Sequence, residues 1–218
     1  MKQGILPYIV YALLGYVSGS LLFAWIIPKY LLHMDITQKP GDHNPGTFNV
    51  FAQAGAAAGI LVLVLELAKG ALPVWAASRV LPVNRWGFGL VMAAPVLGHA
   101  FPFWRIKGGG KAIAVSFGVL LGLWPNLHPL GLLVLCYLFF SLVVVVEPHL
   151  HRSILTYGCV ALLTLLLLPR GGITLGVLLV SGIVILRHGM QYQGEKFSVH
   201  LGLKSEKQAD APEKHRET

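Results

Sequence analysis

The stretch that most constrains the fold runs from Ala112 to Val146, which is 35 residues without a charged side chain. One α-helix of that length would extend about 52 Å, whereas the hydrocarbon core of a bilayer is only about 30 Å thick. The segment "WPNLHP" at 124–129 contains two prolines and an asparagine, which predict a turn. The run therefore predicts two membrane-spanning helices joined by this turn.

Composition points to the same class of protein. Of the 218 residues, 55% are hydrophobic and only 12% are charged, whereas soluble domains are about 25% charged. The net charge is +8, but the cations occupy short loops and span ends, so we expect them to orient the chain and to meet anionic partners rather than nucleic acid. Cys136 and Cys159 both lie in apolar runs and indicate neither a disulfide framework nor a metal site.

The apolar runs predict an all-α, polytopic membrane protein with about seven transmembrane helices. The predicted spans are 4–28, 49–78, 86–104, the two parts of 112–146, 153–168 and 172–187. Twelve of the 17 Lys and Arg residues fall on the side that holds the C-terminus, so we expect the N-terminus outside and the C-terminus in the cytoplasm. Residues 1–203 form one membrane domain, and 204–218 are predicted to be a disordered polar tail.

One polar segment on the cytoplasmic side is long and distinctive, "LGHAFPFWRIKGGGKAIAVSFG" at 97–118. Gly108, Gly109 and Gly110 can adopt positive φ and let the backbone approach a ligand closely. Lys111 adds a point charge, and the start of the next helix offers unpaired N–H groups, so the segment predicts an anion cradle suited to phosphate. The alternative is a flexible turn whose cations follow the positive-inside rule.

Five other polar residues allow more than one interpretation. His99 near the end of a span could be a base, an anion donor or a hydrogen-bonding partner between helices. Asn44, like Asp42, could cap or turn the chain or contact a substrate. Glu66 and Lys69 are one helical turn apart, so they could form a structural ion pair or, as ionisable groups within a span, carry a function.

The motifs and their order resemble those of the bacterial acyl-phosphate:glycerol-3-phosphate acyltransferases, over roughly residues 10–197. The segments that carry the resemblance are "GYVSGSLLFAWII", "DI" followed by "GDHNPGTFNVF", "ELAKG", "LGHAFPFWRIKGGGKAIAVSFGVLLGLWP", and Arg187, His188 and Gln191 where the family has "RH..N". The fourth segment is the most specific, and each of the others would be a weak signal alone.

The resemblance implies a seven-helix enzyme of phospholipid biosynthesis without a metal cofactor. Such an enzyme transfers an acyl group from acyl phosphate to the 1-hydroxyl of glycerol 3-phosphate and releases lysophosphatidic acid and phosphate. It would lie in the bacterial inner membrane with its active site facing the cytoplasm. Because acyl phosphate is an activated donor, positioning and charge stabilisation can supply the catalysis.

The resemblance also assigns roles to residues of this chain. The expected catalytic residues are His99, Lys111 and His188. The expected substrate-binding residues are Asn44, Gly46, Asn49, Gly108, Gly109, Gly110, Arg152 and Gln191.

Three positions depart from the family pattern in the first loop, which joins the first two predicted spans, and at the start of the second span. Thr37 and Ala52 replace arginines, and Asp42 replaces a serine. A carboxylate near a bound phosphate would repel it by about 4 kcal/mol at 4 Å. A further polar segment, "EPHLHRS" at 147–153, matches the family only at Ser153. Arg152, His149 and His151 are therefore the candidates to replace the missing cations.

Two other functions are compatible with the same sequence. A divergent paralogue could keep the fold and use a different acceptor, because the altered first loop is where phosphate would bind. A non-enzymatic small-anion transporter would place polar groups near the membrane midplane, often at broken helices. Most polar groups here gather on one side, which favours an enzyme at the membrane surface, and only Glu66 and Lys69 favour the transporter.

Overall fold

The computed structural model describes residues 4–37, 44–105 and 108–202. Within these ranges the chain is mostly helical, with two short strands. The predictions that concern Asp42 and the tail 204–218 fall outside the described residues.

Eight α-helices make up most of the fold. They are α1 (Leu6–Gly19), α2 (Phe23–Leu31), α3 (Thr47–Val80), α4 (Gly87–Ala100), α5 (Ile113–Leu121), α6 (His128–Leu138), α7 (His149–Leu167) and α8 (Gly172–Gly189). A π-helical turn, Phe139–Val143, extends α6. Strand β1 (Val144–Glu147) pairs antiparallel with β2 (Ser198–Leu201), with Val144 opposite Leu201.

Four helical segments of the described chain are long and apolar enough to cross a bilayer, namely Leu6–Leu31, α3, α7 and α8. Two more apolar helices, α4 and α6 with its π turn, are shorter, and α5 has only nine residues. The prediction of a mostly helical chain with several spans is therefore confirmed, whereas seven spans and an outside N-terminus stay predictions.

The structure adds two details to the predicted spans. The first span is divided, because α1 ends at Gly19 and α2 begins only at Phe23. The uncharged run 112–146 does not finish as a helix, since its last residues form β1. The predicted turn at 124–129 is confirmed at its start, because α5 ends at Leu121 and α6 begins at His128.

Small residues bring the helix backbones close together. A Cβ on Gly19 would lie 2.0 Å from Pro95 O, and one on Gly98 would lie 2.2 Å from Tyr16 O, so α1 and α4 meet through glycines. In the same way a Cβ on Gly118 of α5 would lie 2.1 Å from Leu67 O of α3. Helices in membranes associate through such small residues, because apolar burial gives little advantage among lipid tails.

Helix α3 is kinked at Gly55, where φ is 86° and ψ is 175°. This backbone region is open essentially to glycine alone. The kink separates the first two turns of α3 from its long second part, and those first turns contribute Thr47, Asn49 and Gln53 to the cavity described below.

Replacing Gly55 with alanine should destabilise the protein by about 1–3 kcal/mol, because the new Cβ has free space but the backbone conformation is strained. Gly182 in α8 also has free space for a Cβ and has ordinary helical backbone, so Gly182→Ala is the matched control. Unfolding in detergent should show a loss for Gly55→Ala only. Equal stability of the two variants would mean that the kink is not a constraint on the fold.

Candidate functional site

A cavity of about 980 Å³ lies between the start of α3, the end of α4 at His99, residues 111–112, α5 and the start of α7. Its polar lining comes from loops and helix ends: Asn44, Thr47, Asn49, Gln53, His99, Lys111 and His149. Its apolar lining comes largely from helix interiors and includes Leu63, Leu67, Ile113 and Phe117. The cavity can therefore hold a ligand that has both an ionic group and an apolar chain.

Lys111 lines this cavity and is the one Lys or Arg among the described residues of its wall. It stands directly before α5, whose N-cap residue Ala112 adopts the left-handed conformation with φ 63°. Left-handed backbone is uncommon for a residue with a side chain. Such outliers occur often at ligand sites, where the surrounding structure holds them. The predicted placement of Lys111 at the entrance to a helix is thus realised.

The three glycines before Lys111 do not act as predicted. None of the three has a φ in the left-handed range, which among the described glycines is adopted by Gly55 and Gly194. Instead the glycines allow close packing, since a Cβ on Gly109 would lie 2.0 Å from Ala100 O and one on Gly110 would lie 2.1 Å from His99 Nε2. The segment is therefore pressed against the end of α4 and is not a freely flexible turn.

Arg187 of α8 forms hydrogen bonds with the same glycine segment. Its side chain donates from Nη2 to Gly109 O and, at 3.3 Å, from Nε to Gly110 O. The residue is buried, with 5% of its surface exposed. Sequence reasoning gave Arg187 no role in the site, although a cation at the end of an apolar span is itself a signal of function.

Glu66, Lys69 and His99 form a buried triad. Glu66 and Lys69 contact Nδ1 of the His99 ring, whereas Gly110 lies next to Nε2. The exposed fractions of Glu66, Lys69 and His99 are 1%, 4% and 5%. Lys69 Nζ lies 2.7 Å from Glu66 Oε2 and 2.9 Å from His99 Nδ1, and Glu66 Oε2 lies 3.0 Å from that same Nδ1. The predicted ion pair is confirmed, and it includes the histidine as a third member.

The triad also satisfies backbone groups at the division of the first span. Lys69 Nζ donates to Leu21 O at 2.6 Å, and Ala24 N donates to Glu66 Oε1 at 3.3 Å. Irregular backbone at membrane depth is tolerated where it is buried in protein and its polar groups are bonded. The charged pair of α3 therefore stabilises the non-helical residues between α1 and α2.

The contacts of His99 Nδ1 are compatible with two forms of the ring, one that accepts from Lys69 Nζ and one that donates to Glu66 Oε2. An ammonium group only donates, so when Lys69 donates to Nδ1 the ring proton is on Nε2. Nε2 is the ring atom next to Gly110, and His99 lines the cavity. His99 can then donate a hydrogen bond to an anion held there.

Asn44, Gly46 and Asn49, for which substrate binding is predicted, all line the cavity. Asn49 Nδ2 and Gly46 N both donate to Asn44 O, each at 2.8 Å. The two asparagines thus form a compact turn at the start of α3.

His188 is fully buried, and its Nδ1 donates to Val184 O at 2.8 Å because a carbonyl can only accept. Its Nε2 is then an acceptor, and this atom has no hydrogen-bond partner in the described part of the chain. The ring of His188 stacks on that of His149, with centroids 6.5 Å apart. His149 itself lines the cavity, so His188 lies directly behind a cavity wall.

A chain of hydroxyl groups holds His149. Ser153 Oγ lies 3.3 Å from His149 Nδ1 and accepts a hydrogen bond from Tyr137 Oη at 3.2 Å. Further inside, Tyr157 Oη is hydrogen-bonded to Ser116 Oγ. Ser153 is therefore a support for His149, since it is fully buried and does not line the cavity.

Five predicted binding residues are not part of the cavity wall in the described structure, namely Gly108, Gly109, Gly110, Arg152 and Gln191. Arg152 donates from Nε to Val146 O at 3.0 Å, so its guanidinium is engaged with β1. Gln191 follows the end of α8 and its N–H donates to His188 O. His149 was considered only as a replacement for the missing cations, yet it is the residue of the segment 147–153 that lines the cavity. Within the described ranges, no three His, Cys, Asp or Glu side chains are grouped as a metal site requires.

Comparisons with known proteins agree with this picture. The family model described as glycerol-3-phosphate acyltransferase matches residues 9–194. The glycerol-3-phosphate acyltransferase of Pseudoalteromonas translucida is 33% identical over 81% of this chain and 83% of its own length. That of Myxococcus xanthus is 42% identical over 52% of this chain, and the chain spans 59% of that relative's length.

A solved structure resembles the whole arrangement. It is that of PlsY, described as an integral membrane glycerol 3-phosphate acyltransferase, in its glycerol 3-phosphate form. The superposition has a TM-score of 0.71 at 25% identity and covers 84% of this chain and 88% of the other.

Replacing Lys69 with methionine should lower the free energy of unfolding by about 3–5 kcal/mol, because it leaves the Glu66 carboxylate buried without its cation. The double variant Glu66→Gln/Lys69→Met removes both charges and should be more stable than Lys69→Met alone. Unfolding in detergent compares the two directly. A double variant less stable than the single one would contradict the ion-pair account.

Proposed function

Since this chain belongs to the glycerol-3-phosphate acyltransferase family, we propose that it transfers an acyl group from acyl phosphate to the 1-hydroxyl of glycerol 3-phosphate. The products are lysophosphatidic acid and inorganic phosphate. The observation that carries the proposal is the cavity, whose wall combines Lys111 with the apolar side chains of α3 and α5.

Acyl phosphate matches both kinds of lining. Its phosphate needs a cation and N–H donors, which Lys111, His99 Nε2 and the start of α5 can supply. Its acyl chain needs an apolar path, which Leu63, Leu67 and Phe117 line. Because Arg187 and the end of α4 fix Gly109 and Gly110, the phosphate site is preorganised, and preorganised donors are worth most in a site that excludes water.

The acceptor requires a group that can receive a proton from its hydroxyl. In this proposal the proton of the 1-hydroxyl passes to the histidine pair, entering at His149 on the cavity wall with His188 stacked behind it, while the hydroxyl oxygen attacks the acyl carbon. The bond from that carbon to the phosphate oxygen then breaks, and the phosphate leaves toward Lys111. His149, stacked on His188 and lining the cavity, lies between the buried histidine and the ligand.

The proposed setting is the bacterial inner membrane, with seven spans, the N-terminus outside and the cavity open to the cytoplasm. The distribution of Lys and Arg supports this orientation. A water-soluble acceptor would then arrive from the cytoplasm and an apolar donor from the bilayer.

The transporter alternative rests on the divided first span beside the Glu66–Lys69 pair. In transporters, the polar groups at a broken helix coordinate the substrate. Here Leu21 O and Ala24 N are already hydrogen-bonded to Lys69 and Glu66. These backbone groups at the break therefore have protein partners and do not need a substrate to satisfy them. That favours the enzyme.

The direct test is to supply detergent-purified protein with acyl phosphate and glycerol 3-phosphate and to follow phosphate and lysophosphatidic acid. Lys111→Ala should lower the rate by about 10²-fold or more, as expected for loss of a charged donor at a reacting group. Arg170→Ala, in an exposed loop between α7 and α8, is the control and should keep the rate. Well-folded wild type that is inactive with several acyl chain lengths would refute the proposal.

Replacing His149 with alanine should raise the KM for glycerol 3-phosphate by about tenfold, since one hydrogen bond to a charged ligand is worth about 1.5 kcal/mol or more. His151 packs on Tyr192 and Phe197 rather than lining the cavity, so His151→Ala should leave that KM unchanged. Steady-state kinetics with acyl phosphate saturating would measure both. Equal effects of the two variants would exclude His149 from acceptor binding.

A further inference from the structure

Two cations converge on one indole ring outside the cavity. Lys29 Nζ lies 4.3 Å from the ring centroid of Trp25, and Arg105 Cζ lies 4.8 Å from the same centroid. Trp25 and Lys29 belong to α2, whereas Arg105 follows α4, so the tertiary fold and not local sequence brings the cations together. Two like charges repel each other when they share a partly desolvated site.

No described carboxylate compensates this pair. The described ion pairs belong to the Glu66–Lys69–His99 triad. Arg105 Nη1 is moreover buried and lacks a hydrogen-bond partner among the described residues. A buried guanidinium N–H without an acceptor is costly, and an anion bound beside it would supply one.

The surroundings are those of a membrane surface. Tyr30, Phe103 and Trp104 are large aromatic side chains that are 61%, 60% and 39% exposed. Tyr and Trp concentrate at the level of the lipid headgroups. The Trp104 ring is also fixed, because its Nε1 donates to Ser20 O at 2.8 Å and its ring centroid lies 5.4 Å from that of Trp25.

A lysine in the last turn of a helix also interacts favourably with the helix dipole. That explains Lys29 alone. It does not explain why Arg105, from another segment, is placed over the same ring with an unpartnered Nη1.

We propose that Lys29 and Arg105, on their Trp25 platform, bind the phosphate of an anionic ligand at the membrane surface, either a phospholipid headgroup or a free phosphate. The cations supply charge-assisted hydrogen bonds to phosphate oxygens. In the lipid case, Tyr30 and Phe103 contact the adjoining glycerol and acyl region. This site uses neither Lys111 nor His188, and it stands whether or not the proposed acyltransferase activity is correct.

The test uses the full chain, purified in detergent and depleted of lipid, as wild type, Lys29→Gln and Lys29→Gln/Arg105→Gln. Arg79→Gln is the matched control, because Arg79 lies over Trp75 at 5.3 Å without a second cation on that ring. Thermal unfolding is followed while phosphatidylglycerol, neutral phosphatidylcholine or inorganic phosphate is added.

Phosphatidylglycerol should raise the Tm of wild type and Arg79→Gln more than phosphatidylcholine does. Lys29→Gln should need about tenfold more of the anionic lipid for the same shift, as expected for one lost charge-assisted bond, and the double variant should lose the selectivity. An equal response to inorganic phosphate, lost in the same variants, would support the phosphate site and identify its ligand as a free anion. A selective response that persists in both Lys29 variants, or no selective response in wild type, would overturn the proposal.

Discussion

The buried triad of Glu66, Lys69 and His99 is the interaction on which the rest of the structure depends. Removing charges from water is expensive, and such a group is stable only when every charge and donor finds a partner. Here the partners come from three separate parts of the chain: α3, the end of α4, and the backbone between α1 and α2. The triad thus fixes where the divided first span lies and how His99 is turned toward the cavity.

Close helix packing makes this arrangement possible. The glycines of α1 and α4, such as Gly19 and Gly98, allow the two backbones to touch, which places His99 beside the residues before α2. Gly109 and Gly110 then pack on the same end of α4, so the triad and the glycine segment before Lys111 meet at this helix end. A residue with a side chain at Gly110 would enter the space of His99 Nε2, which couples the geometry of this segment to that of the triad.

The sequence predicted those features that follow from local pattern. Uncharged length predicted the helical spans, the prolines at 124–129 predicted the turn, and Lys111 before an apolar run predicted a cation at a helix entrance. The division of the first span could not be predicted, because it depends on bonds from Lys69 and Glu66, more than forty residues away in the chain. Strand β1 was missed since "VVVE" continues an apolar run, and only its distant partner β2 makes it a strand.

The first loop shows how the chain adapts where it departs from its family. Thr37 turns toward Asp35, to which its hydroxyl donates at 2.6 Å, and Ala52 presents only a methyl group to the cavity. Neither supplies the positive charge that an arginine would. The proposed reaction has two phosphate-bearing substrates, which need positive or donor groups beyond Lys111. His149 of α7, with His188 of α8 stacked behind it, adds an imidazole to a wall to which Ala52 of α3 brings no charge.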